Sequence, residues 1–284
     1  MTQDEHGGIM KYGYTEEGVS DRKKVGRINE AWILVVMALL IVVVVGCVGK
    51  QQQQVDIVLN NYPKLFEKNV IIVTGVNATN VEIEGAQTIA DNLRNITGNT
   101  PVIKTDSTIT EKEKAGFNLI LVGRPDENSV LREVYEKTNA TKVTNEFPGA
   151  GKGILEILRN PWNKDKVMLL VAGSDENGLR AAFKSYKSLT SINDSVGYIE
   201  PGKDKLVQLI KLNQSAQTLS EAEEKTKNYF FETSQGELLP NVLYYYTKGY
   251  EFNNYFIVEI REVSTFGRLE RLLKIYRIEK VKKL

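Results

Sequence analysis

Three short apolar runs constrain the fold of this chain more than any other feature. They are "NVIIVTG" (69–75), "FNLILVG" (117–123) and "KVMLLVAG" (166–173), and each ends on glycine. None alternates between apolar and polar residues, so none reads as a strand with one wet face. A continuous aliphatic run of this length is the pattern of a strand covered on both sides. Helical patterns fall between the runs. In "TNVEIEGAQTIADNLRNITG", Thr79 and Glu82 fit a capping box, and Ala86, Ile89, Ala90 and Leu93 recur at helical spacing. Gly98 then suits the carboxyl-terminal cap. "PVIK" reads as a short strand, and "RPDENSVLREVYEKT" as a turn, a cap and a helix facing inward through Val130, Leu131 and Val134.

The segment 153–172 departs from the alternation. Two strand-like runs, 153–159 and 166–172, flank "NPWNKD", and Asn-Pro starts turns, so the pair is predicted to be a hairpin. "SDENGLRAAFKSYKSL" follows as a helix that Ser174 or Asp175 can cap. Together these elements predict an α/β layered domain over 56–192, with a mostly parallel sheet and flanking helices. After residue 200 the character changes. The last 80 residues hold 12 of the chain's 24 aromatics. "KLVQLIKL", "NYFFET", "NVLYYYTKGY" and "YFIVEIREV" read as strands, and "TLSEAEEKTK" as a short helix with Thr218 and Glu221 as its capping box. "RLERLLKIYRIEKVKKL" fits strand or helix, and can pair with "YFIVEIREV" through a turn around Gly267. The expectation is a β-rich module over 200–284, either separate or extending the first sheet.

Residues 31–48, "AWILVVMALLIVVVVGCV", form a run of eighteen without a charge or an amide. A helix of that length spans roughly 27 Å, close to a bilayer core of about 30 Å. The expected organisation is therefore a disordered cytoplasmic tail (1–30), a transmembrane anchor (31–48), a linker (49–55) and the two outer regions. Arg22, Lys23, Lys24 and Arg27 lie upstream, whereas Lys50 precedes four glutamines, so the carboxyl-terminal bulk is expected outside the cell. "VVGC" followed by "VGK" also looks like a lipobox, which makes Cys47 a lipidation candidate and leaves a cleaved lipoprotein open.

Composition removes several function classes. The only histidine is His6 and the only cysteine is Cys47. Neither lies in the outer region, which leaves no His-based acid–base or nucleophilic site, thiol chemistry or His-ligated metal there. A net charge of +1, from 37 Lys and Arg against 36 Asp and Glu, argues against a nucleic-acid partner. Five Asn-x-Ser/Thr sequons, at Asn77, Asn95, Asn139, Asn193 and Asn213, are glycosylation candidates on a surface protein.

Other features carry weaker chemistry. Asn77, Asp126, Glu127, Asp175 and Glu176 all follow strand ends, where open α/β sheets bind ligands, so a cleft for a sugar or cation is conceivable. Residues of these types also cap helices and favour their positive ends. "GAGKG" (149–153) lacks the Walker spacing and the Ser or Thr after its lysine, and reads as a turn into the hairpin. Tyr244, Tyr245, Tyr246, Tyr250 and Tyr255 offer a glycan-stacking platform or half a core. Residues 268–284 carry seven bases against two acids, a basic end that could meet anionic glycan or lipid.

"FNLILVGRPDENS" and "GKGILEILRNPWNKDKVMLLVAGSDENGLRAAFKSYKSL" resemble the α/β domain of archaeal surface-layer (S-layer) proteins. The likeness covers about 69–190, and "NPW" and "VAGSDENGLRAAF" are its most distinctive pieces. It implies a cell-surface structural or glycan-contacting role, with no catalytic, cofactor or metal residues to carry over. S-layer subunits are usually longer and more acidic, so a membrane-tethered chain carrying such a domain is expected, with the membrane, S-layer subunits and surface glycan as partners. Two alternatives stand beside this non-enzymatic reading. One is a lipoprotein ligand-binding component of an uptake system, and the other a carboxylate-based carbohydrate-active enzyme.

Overall fold

The computed structural model describes residues 55–199, 206–234, 242–265 and 270–281. The expected tail, the apolar run 31–48, Cys47 and the turn at Gly267 lie outside the described residues.

Ten strands form one sheet in the order β2-β1-β3-β5-β4-β6-β7-β10-β9-β8. They are β1 (Val70–Thr74), β2 (Val102–Thr105), β3 (Asn118–Gly123), β4 (Gly153–Asn160), β5 (Asn163–Gly173), β6 (Val196–Ile199), β7 (Leu206–Ala216), β8 (Val242–Glu251), β9 (Tyr255–Ser264) and β10 (Glu270–Lys280). Six helices accompany them: α1 (Tyr62–Leu65), α2 (Asn80–Thr97), α3 (Glu111–Gly116), α4 (Ser129–Lys137), α5 (Glu176–Ser185) and α6 (Leu219–Thr233).

The expected fold is corrected in its sheet. The sheet is mixed rather than mostly parallel. β2, β1, β3 and β5 are parallel neighbours and β7 pairs parallel with β10, but the other five pairings are antiparallel. Connection length explains this. A parallel pair needs a long crossover, whereas β4–β5 and β8–β9 are joined by two and three residues. Of the two expectations for the aromatic-rich carboxyl-terminal stretch, the structure follows the second: its strands β7–β10 extend the same sheet. The expected transmembrane helix, 31–48, lies outside the described residues. No helix among the described residues is long and apolar enough to cross a membrane. The longest, α2, is amphipathic, with one face buried and Glu84, Gln87 and Arg94 outside.

β1, β3 and the latter part of β5 are buried as their composition predicts, whereas β2 is partly exposed at the edge. Val70 and Ile72 face one way, against Ile89 and Leu93 of α2 and against Ala182 of α5. Ile71 and Val73 face the other way, against Val130, Leu131 and Val134 of α4. Helix α2 begins with the reciprocal capping box of Thr79 and Glu82, and ends on Gly98 in the left-handed conformation at φ 72°. A short 3-10 turn, Leu59–Asn61, is tied to the segment leading into β6. Its Leu59 and Asn60 N–H groups donate to the carbonyls of Asp194 (2.8 Å) and Ile192 (2.9 Å).

"NYFFET", expected as a strand, is instead the last part of α6. Ala222, Thr226 and Phe230 are buried four residues apart, and they cover Phe256, Val258, Ile260 and Tyr276 of β9 and β10. Thr218 caps the helix through the Glu221 N–H, while the Glu221 carboxylate reaches one residue further back, to Gln217 N–H at 2.8 Å.

Between the halves, residues 138–152 act as a wedge. Ala140, Val143 and Phe147 are buried there, and the Phe147 ring meets Tyr250 at 4.9 Å and Phe252 at 5.5 Å, centroid to centroid. Buried polar groups hold the wedge. Lys142 N–H donates to the Tyr255 hydroxyl (2.8 Å), which donates in turn to Ala140 O (3.1 Å). Arg277 lies 3.8 Å from the Tyr255 ring centre and donates to Asn139 O (2.6 Å). Glu156 accepts Thr141 N–H at 2.6 Å. Burial pushes the Glu156 carboxyl up, and that hydrogen bond and the Arg277 charge pull against it.

Candidate functional site at the strand carboxyl ends

A crevice lies where two of the parallel strands end. It has a volume of about 270 Å³ and lies beyond β3 and β5, between Arg124–Asp126, Lys142–Asn145 and Ser174. Its chemistry is dominated by groups that already have partners.

Of the five residues predicted for a cleft, Asp126 lines the crevice. It is exposed, and its carboxylate lies 3.8 Å from Arg124 Nε. Glu127 makes a two-point ion pair with Arg124, whose Nε contact is 3.1 Å. Asp175 caps α5. One of its oxygens accepts Gly178 N–H (2.7 Å) and the other accepts Gly151 N–H (2.9 Å). Glu176 is exposed in the first turn of α5, where a carboxylate suits the helix dipole. Asn77 is exposed in the turn after β1. Asp126 and Glu127 thus share Arg124, while Asp175 is engaged by the cap of α5 and by the Gly151 amide. Among the described residues, no three Asp, Glu, His or Cys side chains gather as a metal-holding group.

Two of the glycines that close the strands, Gly75 and Gly173, serve backbone contact, whereas Gly123 makes room for the Glu82 side chain. A Cβ on Gly75 would lie 2.1 Å from Glu127 O, so the turns after β1 and β3 touch there. A Cβ on Gly178 would lie 2.2 Å from Lys152 O, which brings α5 down onto the start of β4. "GAGKG" is drawn into the same arrangement. Gly149 N–H donates to Ser174 Oγ (3.0 Å) and Gly151 N–H to Asp175, so the loop is a turn into β4 with amides engaged inside the protein.

Asn128, Asp106 and Glu82 organise this end of the sheet. Asn128 caps α4 through Leu131 N–H (3.1 Å), and its amide donates to the carbonyls of Val73 and Val122 at 3.1 Å each, closing β1 and β3. Asp106 accepts from Val76 N–H (2.8 Å), Ser129 N–H (2.8 Å) and Ser129 Oγ (2.7 Å). Burial opposes ionisation of Asp106, but these hydrogen bonds outweigh it and hold the carboxyl below its usual value. Glu82 shows the reverse. Burial raises its carboxyl, the Thr79 N–H bond at 2.7 Å pulls it down, and the neighbouring Glu127 charge raises it again. Only the capping-box pattern of Glu82 was visible beforehand. The Asn128 and Asp106 bonds join residues up to 55 positions apart, a separation that leaves no local signal.

The tyrosines divide between core and rim. Tyr255 is buried, Tyr250 packs on Phe147, and Tyr245 meets Phe231 of α6 at 5.7 Å. Tyr244 is 56% exposed, and the Tyr246 hydroxyl donates to Glu270 at 2.9 Å. In the basic end, Arg271 pairs with Glu262 (2.6 Å), Lys280 with Glu251 (2.7 Å), and Arg277 is buried. All five sequon asparagines are exposed: Asn77 after β1, Asn95 on α2, Asn139 after α4, Asn193 before β6 and Asn213 on β7.

Residues 75–189 match the S-layer like family, outer domain. The chain therefore carries an S-layer-like domain, running from the end of β1 through α5, which points to a surface structural role and a cell-surface location. A 78-residue stretch is 33% identical to an uncharacterized protein of Methanocaldococcus jannaschii, covering 27% of this chain and 17% of that relative.

Proposed function

We propose that this chain is a non-enzymatic cell-surface protein, held at the membrane through its amino-terminal apolar segment, whose S-layer-like domain contacts surface-layer subunits or their glycans. The observation that carries this reading is the match of residues 75–189 to the outer domain of the S-layer-like family. The strand-end residues are consistent with it, since Asp175 and Asp106 hold backbone amides together. The eighteen-residue apolar run at 31–48 and the bases before it support the tether and its orientation, either by the segment itself or by a lipid on Cys47. Detergent extraction of envelopes tests the function: the protein should sediment with the surface-layer sheets, and a freely soluble protein overturns the proposal. Intact mass of the membrane-bound form separates the tethers, because lipidation at Cys47 requires loss of residues 1–46.

A further inference from the structure

We infer that Asn213 carries an N-linked oligosaccharide, and that it is the sequon at which the folded chain accepts one. This rests on the cell-surface reading above. Glycosylation requires the asparagine carboxamide and the hydroxyl two residues later to enter another enzyme's active site together. Triplets already committed within the fold cannot do so without local unfolding.

Four of the five are committed. The Thr79 hydroxyl accepts Glu82 N–H and donates to Glu82 at 3.0 Å, inside the capping box of α2. The Thr97 hydroxyl donates to Leu93 O at 2.7 Å within the last turn of α2. Thr141 is 1% exposed and its N–H is held by Glu156, while the carbonyl of Asn139 is held by Arg277. Asn193 accepts from the Asn60 amide at 3.1 Å, and the Ser195 hydroxyl donates to Asp194 at 3.3 Å.

The triplet Asn213-Gln214-Ser215 is different. All three residues are exposed. β6 pairs with β7 only over Leu206–Gln208, so beyond that point this edge of β7 has no strand beside it. On the other edge, the ladder to β10 runs through Lys211↔Arg277 and resumes at Ser215↔Glu279. Leu212, Asn213 and Gln214 therefore stand opposite Ile278 alone. Leu212 turns into the core, and the bulge carries Asn213 and Gln214 outward. Lys225 Nζ donates to the carbonyl of Ser215 (2.7 Å), which fixes the backbone without engaging the hydroxyl. Among the described residues, neither the Asn213 carboxamide nor the Ser215 hydroxyl has a hydrogen-bond partner.

The donor is an oligosaccharide linked through its anomeric carbon to a lipid phosphate or pyrophosphate. The Asn213 amide nitrogen bonds to that carbon and loses a proton to the transferase's base. The carbon–oxygen bond to phosphate breaks, and its electron pair leaves with the lipid phosphate.

Lys211 and Lys225 bound a tryptic peptide, 212–225, that contains no other sequon, and Asn139 lies alone in 138–142. Cells making the full chain are treated with a membrane-impermeant amine reagent, and the recovered protein is analysed by peptide mass spectrometry. The expected result is a surface-labelled protein whose 212–225 peptide carries an oligosaccharide and whose 138–142 peptide is bare. Asn213→Gln and Ser215→Ala each lose that mass, and Ser215→Thr retains it. A bare 212–225 peptide, or an occupied 138–142 peptide, in surface-labelled protein overturns the glycan assignment and leaves the surface reading standing. Protein that escapes the label overturns both.

Discussion

Strands β1 and β9 are both buried along nearly their whole length, yet they reach burial by opposite routes. β1 reads "VIIVT", and each side chain enters an apolar layer under α2 or α4. β9 reads "YFIVEIREVS", and it carries Glu259, Arg261 and Glu262 into the interior along with its aliphatics. Glu259 accepts the Tyr198 hydroxyl (3.0 Å) on one oxygen and Arg261 Nε (2.6 Å) on the other. The first strand is stabilised by leaving water. The second must also replace the water its charges lose, and it does so with specific partners. A nondirectional core tolerates many sequences, whereas the charged one depends on every partner being in place.

Glu259→Ala separates the two plans most sharply. It leaves Arg261 buried without its carboxylate, and urea unfolding should show a loss of about 3–5 kcal/mol. Replacing Glu259 and Arg261 together with leucine and methionine should recover most of that loss; a double variant as unstable as the single one breaks the comparison. In the apolar half, Leu121→Ala should cost about 2–5 kcal/mol at a fully buried site, and no second substitution should offset it by neutralising a charge. Asp175→Ala removes a helix cap, for about 0.5–2 kcal/mol in the same assay.

The smallest effects appear as opposite pH trends. Burial raises Glu82, so its stabilising contribution is complete below its ordinary value of 4.5 and is lost as pH rises through its folded value. Hydrogen bonds lower Asp106, so its contribution is present above 3.8 and is lost as pH falls through its folded value. Unfolding curves of Glu82→Gln and Asp106→Asn against the parent, followed across acid pH, should therefore diverge in opposite directions.

Legibility in the sequence follows the same division. β1, β3 and β5 were readable because burial on both faces leaves a continuous aliphatic run. α2 was readable because its caps lie within three residues of its ends. β9 was recognised as a strand, but its immersion was not, since Glu259, Arg261 and Glu262 suggest a wet face until their partners are known. "NYFFET" misled because aromatics favour strands, while the spacing of Ala222, Thr226 and Phe230 that places it in α6 begins outside that hexapeptide. The continuity of the ten-stranded sheet depended on β7 meeting β10 more than sixty residues later. At the strand ends, the polar residues were found but the organising bonds of Asn128 and Asp106 were not, because these act through carbonyls and amides that no residue pattern records.

The 3-10 turn at Leu59–Asn61 has a mechanical consequence. Tension arriving along the chain from the amino-terminal side meets this turn before it meets β1. Its N–H groups grip the carbonyls of Ile192 and Asp194, and the Leu59 side chain is sealed beneath. The load is thus handed to the segment leading into β6, near the middle of the sheet, and β1 is spared as the first link to be pulled. The turn works as a strain relief, and the force needed to detach it sets how hard the chain can be pulled before its core is stretched.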